Sequence, residues 1–226
     1  MRGVTVAFDL DGTMVDTAPD LIAALDHLLG RLGLPPSDPA VAIPAVGHGA
    51  RAMIDRAVHA LGHRVDPADM DPLIEEFIAF YAQNIAVGSR PFPGLEGTLH
   101  ALKGGGTRLA VCTNKREALA RKLLDELSLS HFFDALAGGD TYPERKPDPA
   151  HLLNVIRAAG GDPSAAVMVG DSSADVGAAR AAGVPVVLVD FGYADAALNA
   201  DAVISHFAEL PAAVAALTRG PARDAV

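Results

Sequence analysis

Asp9 and Asp11 close the stretch "VTVAFDLDGT", residues 4–13, with one leucine between them. Val4 to Asp9 reads as a short buried strand. Residues two apart on a strand point to the same side, about 7 Å apart when extended. Leu10 can therefore face a core while both carboxylates share the other side. Two like charges that close resist full ionisation unless a cation, a proton or abundant water lies between them. Other chemically capable groups recur where apolar stretches end: Thr113 and Asn114 after "RLAVC", Gly138-Gly139-Asp140 after "FFDALA", and Gly170-Asp171 after "AAVMV". Asp175 follows one helical turn after Ser172. Lys146 sits in "RKPDP", where Pro147 disfavours the helical region for it and Asp148-Pro149 suits the start of the next helix. The chain has only four lysines, so one set before a proline is a candidate for a charge aimed at one place.

The elements that position these groups follow from periodicity. After the first strand, "TAPDLIAALDHLLGRLG", "GARAMIDRAVHALG" and "DMDPLIEEFIAFYAQNIAV" carry apolar residues at helical spacing, up to about residue 87. "GSRPFPG", residues 88–94, is a Pro/Gly-rich joint. Beyond it strands and helices alternate: strand "TRLAVCTN", helix "REALARKLLDEL", a short strand in "FFDALAGGD", helix "PAHLLNVIRAAG", strand "AAVMVGD", helix "SADVGAARAAG", strand "PVVLVDFG" and a last β-α pair. This order predicts an α/β fold with a doubly wound parallel sheet and a small helical cap inserted after the first strand. The expected division is a core of residues 1–13 and 91–226, a cap of residues 14–90, and a flexible tail at 219–226. In such sheets ligands bind beyond the carboxyl ends of the strands, which is where the polar groups above fall.

Composition narrows the partners. Half of the 226 residues are apolar, 20% are charged and the net charge is −10. That balance argues against nucleic acid or an anionic membrane as the main partner. It suits an enzyme that holds a small anion in a locally positive site. One cysteine, Cys112, excludes intramolecular disulfides and thiolate metal clusters. No apolar run is long enough to span a membrane, and no leader pattern precedes the first strand. The expected location is cytoplasmic, as monomer or homodimer.

"DLDGTMVDT", with "VCTNK", "ERKPDP" and "VGDSSAD" following in that order, resembles the haloacid dehalogenase superfamily over nearly the whole chain. The resemblance implies that Asp9 is a nucleophile forming an aspartyl-phosphate. It implies that Asp11 protonates the leaving alcohol and then activates water. Thr113, Asn114 and Lys146 would hold the phosphoryl group. Mg²⁺ would be bound by Asp9, the backbone carbonyl of Asp11, and Asp171. Asp175 is left between orienting Lys146 or a metal-bound water and standing as an exposed acid in a first helical turn. Counting Asp9, Asp11, Asp171 and Asp175 against Lys146 leaves three negative charges in excess, which a divalent cation would offset.

Asp11 separates this chain from the dehalogenases of the superfamily, which lack that acid. The absence of lysine from residues 14–90 separates it from the phosphonoacetaldehyde hydrolases, which use a cap lysine. β-Phosphoglucomutase relatives, phosphatases of other sugar phosphates and phospho-acceptor signalling domains remain as alternatives. "GGDTYPERKPDP", the first motif and "VGHGARAMIDRA" are similar to the phosphoglycolate-hydrolysing group, which makes 2-phosphoglycolate the expected substrate. His48 and Arg51 then fall in a cap loop able to meet its carboxylate. Cap hinges are expected near Val15–Thr17 and Gly88–Pro93.

Overall fold

The computed structural model describes residues 2–193 and 198–218; the tail expected at 219–226 lies outside them. In chain order the elements are β1 (Thr5–Phe8), β2 (Val15–Asp16), α1 (Ala18–Arg31), α2 (Pro39–Ala42), α3 (Ala50–Ala60), α4 (Met70–Gln83) and β3 (Arg90–Pro91). There follow α5 (Leu95–Gly104), β4 (Arg108–Cys112), α6 (Glu117–Glu126), β5 (Ala135–Ala137), α7 (Pro149–Ala158), β6 (Ala166–Gly170) and α8 (Ser173–Ala182). The chain continues through β7 (Val186–Val189), β8 (Ala202–Ile204) and α9 (Leu210–Thr218).

Six strands form one parallel sheet in the order β5-β4-β1-β6-β7-β8. The chain steps outward from β1 to β4 and β5, then returns to the other side of β1 for β6, β7 and β8. β1 therefore lies at the reversal of strand order, with Phe8 aligned to Val111 of β4 and to Val169 of β6. The crevice beyond its carboxyl end is the expected ligand site of such a sheet.

Alternation along β1 sorts its side chains into two layers. Val6 and Phe8 join one fully buried cluster with Leu95 and Leu99 of α5 and Leu210 of α9. Ala7 joins the other, with Leu152 and Val155 of α7 and Ala178 of α8. The first cluster runs on into the cap helices through Leu21, Leu25, Met53 and Phe77.

The cap is joined to the sheet by two chain crossings, and these pair with each other. β2 and β3 form a two-stranded antiparallel ribbon, Val15 opposite Pro91 and Asp16 opposite Arg90. Asp20, in the first turn of α1, accepts from the Gly88 amide (2.7 Å), the Ser89 amide (2.8 Å) and the Ser89 hydroxyl (2.6 Å). Three hydrogen bonds on one buried carboxylate tie the joint together. Gly88 is required there, since a Cβ on it would lie 2.8 Å from the Pro19 Cβ.

Candidate functional site

Asp9 is the first residue past β1 and keeps the ladder going, its amide donating to the Val169 carbonyl (2.9 Å). Its Oδ1 accepts from the Leu10 amide (2.7 Å) and sits 2.9 Å from the Lys146 Nζ. Oδ2 has no protein hydrogen bond among the described residues. Burial raises the carboxyl's pKa to about 6; Lys146 works against that shift, and Asp175 and Asp11 add to it.

Lys146 is delivered by the loop ahead of α7. As expected, Asp148 caps this helix, accepting from the Ala150 amide (2.8 Å), with Pro149 at the first position. The Lys146–Pro147 peptide is cis. The lysine is 2% exposed, and its Nζ lies 2.6 Å from Asp175 Oδ1 as well as against Asp9. Burial alone would favour the neutral amine, but Asp175 and Asp9 outweigh it and hold the ammonium charged.

Asp175 is fully buried, not the exposed acid that remained open from its helical position. It belongs to a capping box at the start of α8. Its Oδ2 accepts from the Ser172 amide (2.9 Å), the Ser172 hydroxyl (2.6 Å) and the Asp171 amide (3.2 Å). Gly170 leaves room for it, since a Cβ there would lie 2.4 Å from the Asp175 Cβ.

Asp171 leaves the end of β6 with both oxygens engaged. Thr13 donates its hydroxyl to Oδ1 (2.8 Å) and Tyr193 its amide to Oδ2 (3.0 Å). Thr13 thus orients Asp171. Burial first, then Asp175 and Asp9, push the Asp171 pKa up to about 8 in spite of those donors. One oxygen each from Asp9, Asp171 and Asp175 lie within 4.8 Å of one another.

Asp11 turns to a different set of partners. Its Oδ1 accepts from the Thr17 hydroxyl (2.7 Å) and from the Lys115 Nζ (2.8 Å), and its Oδ2 lies 3.1 Å from the same Nζ. Lys115 was not anticipated. Burial would lower its pKa, but Asp11 more than reverses this and the ammonium stays charged. Its Nζ also lies 4.4 Å from the centre of the Tyr81 ring, contributed by α4 of the cap. Counted as if all were ionised, the four carboxylates of the region face two lysines, a formal excess of two negative charges and not three.

Thr113 is buried at the end of β4, its amide bonded to the Ala137 carbonyl (3.0 Å). Its Oγ1 accepts from the Lys115 amide (3.2 Å), which leaves its own O–H to donate elsewhere. Asn114 reaches across the crevice, its Nδ2 donating to the Lys146 carbonyl (3.1 Å) and, more weakly, to Gly47 of the cap (3.4 Å).

Two hollows flank this centre. One, of about 240 Å³, lies between cap and sheet and is lined by Asp11, Tyr81, Asn114 and Lys115 over an apolar floor that includes Ile74 and Phe77. The other, of about 540 Å³, is lined by residues that include Gly47, His48, Asp171 and Tyr193. Of the cap residues singled out from sequence, His48 faces the second hollow. Arg51 borders the first, but is mostly exposed and paired with Asp71.

The sheet order, the inserted cap and this gathering of carboxylates and lysine define a hydrolase class. The chain belongs to the haloacid dehalogenase-like hydrolase family, whose model matches residues 6–189. It is an enzyme of the phosphatase kind within that family. It is 48% identical over 205 residues to a phosphoglycolate phosphatase of Mesorhizobium japonicum, covering 89% of this chain and 90% of that one. It is 46% identical over 226 residues to a phosphoglycolate phosphatase of Caulobacter vibrioides, covering 98% and 95%. A crystal structure of a predicted phosphoglycolate phosphatase from Haemophilus somnus superposes with a TM-score of 0.86 at 30% identity, over 94% of this chain and 97% of that one. Among the described residues no helix is long and apolar enough to cross a membrane.

Proposed function

We propose that the protein is a magnesium-dependent phosphomonoesterase that works through an aspartyl-phosphate on Asp9, and that its substrate is 2-phosphoglycolate. The observation that carries the chemistry is the state of Asp9. One oxygen is pinned by Leu10 and Lys146 and the other has no protein partner among the described residues, at the reversal point of the sheet. A carboxylate so oriented is a positioned nucleophile.

The site fits a magnesium ion. Its donors are buried hard oxygens, and Asp171 resists ionisation until something positive replaces its proton. Asp9 and Asp171 would hold the ion with the Asp11 backbone carbonyl, and Asp175, taken up by Lys146 and Ser172, would act from behind. When bound, the ion neutralises the phosphoryl oxygens as charge develops on them.

The chain's own groups supply the rest. Asp9 Oδ2 attacks phosphorus and the bond from phosphorus to the ester oxygen breaks. Asp11 gives its proton to the departing oxygen, then takes one from the water that attacks the aspartyl-phosphate and frees Asp9. Lys146 keeps Asp9 aimed and lowers the repulsion between it and the incoming phosphate. The free O–H of Thr113 and the Asn114 amide hold phosphoryl oxygens. The cap, residues 14–90, closes to exclude water and opens to release product.

The substrate rests on the named relatives and on the small size of the hollow beside Asp11. The single, buried Cys112 and the acidic balance suit a cytoplasmic enzyme. Phosphate release from 2-phosphoglycolate, hexose phosphates and nucleoside monophosphates, each with Mg²⁺ and with chelator, tests the whole. The expected result is a large kcat/KM preference for 2-phosphoglycolate, reversibly lost with chelator. Equal rates across the panel would remove the substrate assignment, and activity that survives chelation would remove the metal.

The raised carboxyl pKa values give a second test. The unfolded chain loses the protons of Asp9 and Asp171 near 3.8, the folded one near 6 and 8. The folded state thus holds more protons between those values, and the metal-free protein loses stability as pH rises through that window. Mg²⁺ takes the protons' place. The rise in Tm on adding Mg²⁺ is expected to be larger at pH 8 than at pH 5; equal rises would put the ion somewhere other than between Asp9 and Asp171.

A further inference from the structure

Lys115 is more than the mechanism above requires. A lysine whose one task was to hold Asp11 would need no more than the two contacts it makes, at 2.8 and 3.1 Å. An ammonium has three N–H donors, and beyond Asp11 the described residues offer Lys115 only the face of Tyr81, whose ring centre lies 4.4 Å from Nζ. The lysine side chain is only 6% exposed, so water does not readily satisfy it. Beside it, the Tyr81 hydroxyl is buried with no hydrogen-bond partner among the described residues. Unsatisfied buried polar groups are uncommon and costly. Here one follows β4 of the sheet, the other comes from α4 of the cap, and both border the hollow next to Asp11.

A lysine held only weakly on its Tyr81 side and an unpartnered hydroxyl, side by side above an apolar floor, suit a carboxylate carried on a short alkyl stem. The carboxylate oxygens would accept from Lys115 and Tyr81 while the stem lies against Ile74 and Phe77. The position is on the Asp11 side of the centre, where the departing group of the ester must lie if Asp11 protonates it.

We propose that the Lys115 ammonium and the Tyr81 hydroxyl together receive the carboxylate of the departing acid, and that this pair selects esters with an anionic leaving group. The inference rests on the phosphomonoesterase reading and adds the residues that determine its specificity. Because one donor belongs to the sheet domain and one to the cap, the carboxylate also bridges the two.

Ethyl phosphate carries a methyl group where 2-phosphoglycolate has its carboxylate, so the pair of substrates isolates this contact. The test compares the ratio of kcat/KM for the two esters in the parent enzyme, in Lys115→Met and in Tyr81→Phe. Calorimetric titration of both esters onto Asp9→Asn, with and without Lys115→Met, follows the same contact without turnover. The expected outcome is a parent ratio strongly favouring 2-phosphoglycolate, a fall in that ratio of about 10- to 100-fold in Lys115→Met, and a smaller fall in Tyr81→Phe. Lys115→Arg should recover part of it. Comparing ratios cancels any general damage to Asp11 or to the fold. A Lys115→Met enzyme that loses both esters equally, or keeps the parent ratio, would overturn the inference and leave the phosphatase reading intact. A parent enzyme that does not distinguish the esters would remove the substrate assignment and the inference together.

Discussion

Asp9→Asn is expected to lower phosphate release by at least about 10⁴-fold, because it removes the attacking oxygen and no neighbouring group can replace it. The same change should leave the fold intact or strengthen it. Asparagine keeps an Oδ1 able to accept from the Leu10 amide and from Lys146. It also removes one of three buried carboxylates crowded within 4.8 Å, and Lys146 stays charged through Asp175. In chelator at pH 8, where repulsion among the carboxylates is strongest, the variant should therefore unfold at the same temperature as the parent or above it. Turnover and thermal denaturation on one preparation check both halves. Retention of more than a few per cent of the activity would end the role assigned to Asp9, and a large drop in Tm would show the side chain to be structural.

Lys146→Met should damage both activity and stability. Methionine fills a similar volume but leaves Asp9 and Asp175 without their shared cation in a place that water hardly enters. Breaking a buried pair by removing one partner costs about 3–5 kcal/mol, and loss of a positioned cation at the reacting centre costs about 10²–10³-fold in rate. The stability loss should be greatest at pH 8 and shrink at pH 5, where the stranded carboxylates can take up protons. Lys103 serves as the control. Its pair with Asp134 is about one-third exposed on both sides, so its removal should cost no more than about 1 kcal/mol. Urea denaturation of both variants at the two pH values distinguishes them; equal losses would mean that Lys146 is not the centre's counter-charge.

Much of this architecture was legible in the chain, for definite reasons. The strands are continuous apolar runs because the sheet is covered on both faces, and the three central ones, β1, β4 and β6, end in the polar residues found at the crevice. α5 was not foreseen because Gly94, Gly97, Gly104 and Gly105 break up its signal, although Leu95, Leu99 and Leu102 keep helical spacing and are buried. Asp20 reads as an ordinary acid in a first helical turn, and only the ribbon across from it reveals a structural tie. Thr17 resembles a helix cap but spends its hydroxyl on Asp11.

Lys115 was missed because a lysine beside a helix start is usually solvated, and its significance comes from Asp11 and Tyr81, which are far from it in sequence. A signal was nevertheless present. It shares a strand-end loop with Thr113 and Asn114, and lysines are scarce in this chain. Burial is what the sequence conveys least well. It turns Asp175 from a surface acid into the partner of Lys146, and it depends on a glycine five residues earlier whose only task is to stay out of the way.

The hydrogen bond from Thr13 to Asp171 closes a loop of 158 residues, and Tyr193 must arrive before Asp171 has its second donor. On the ribosome the chain appears at roughly 5–20 residues per second, amino end first, so Asp9 waits about 8 to 30 seconds for the strand that completes its surroundings. Long-range parallel pairings also form late, since loop closure must come first. A chain halted anywhere before β6 would contain the nucleophile but not Asp171, Asp175 or, if halted earlier still, Lys146. The nascent chain is therefore expected to be silent until Asp171 and Asp175 have been made, and products truncated before β6 should have no phosphatase activity even where the cap has folded.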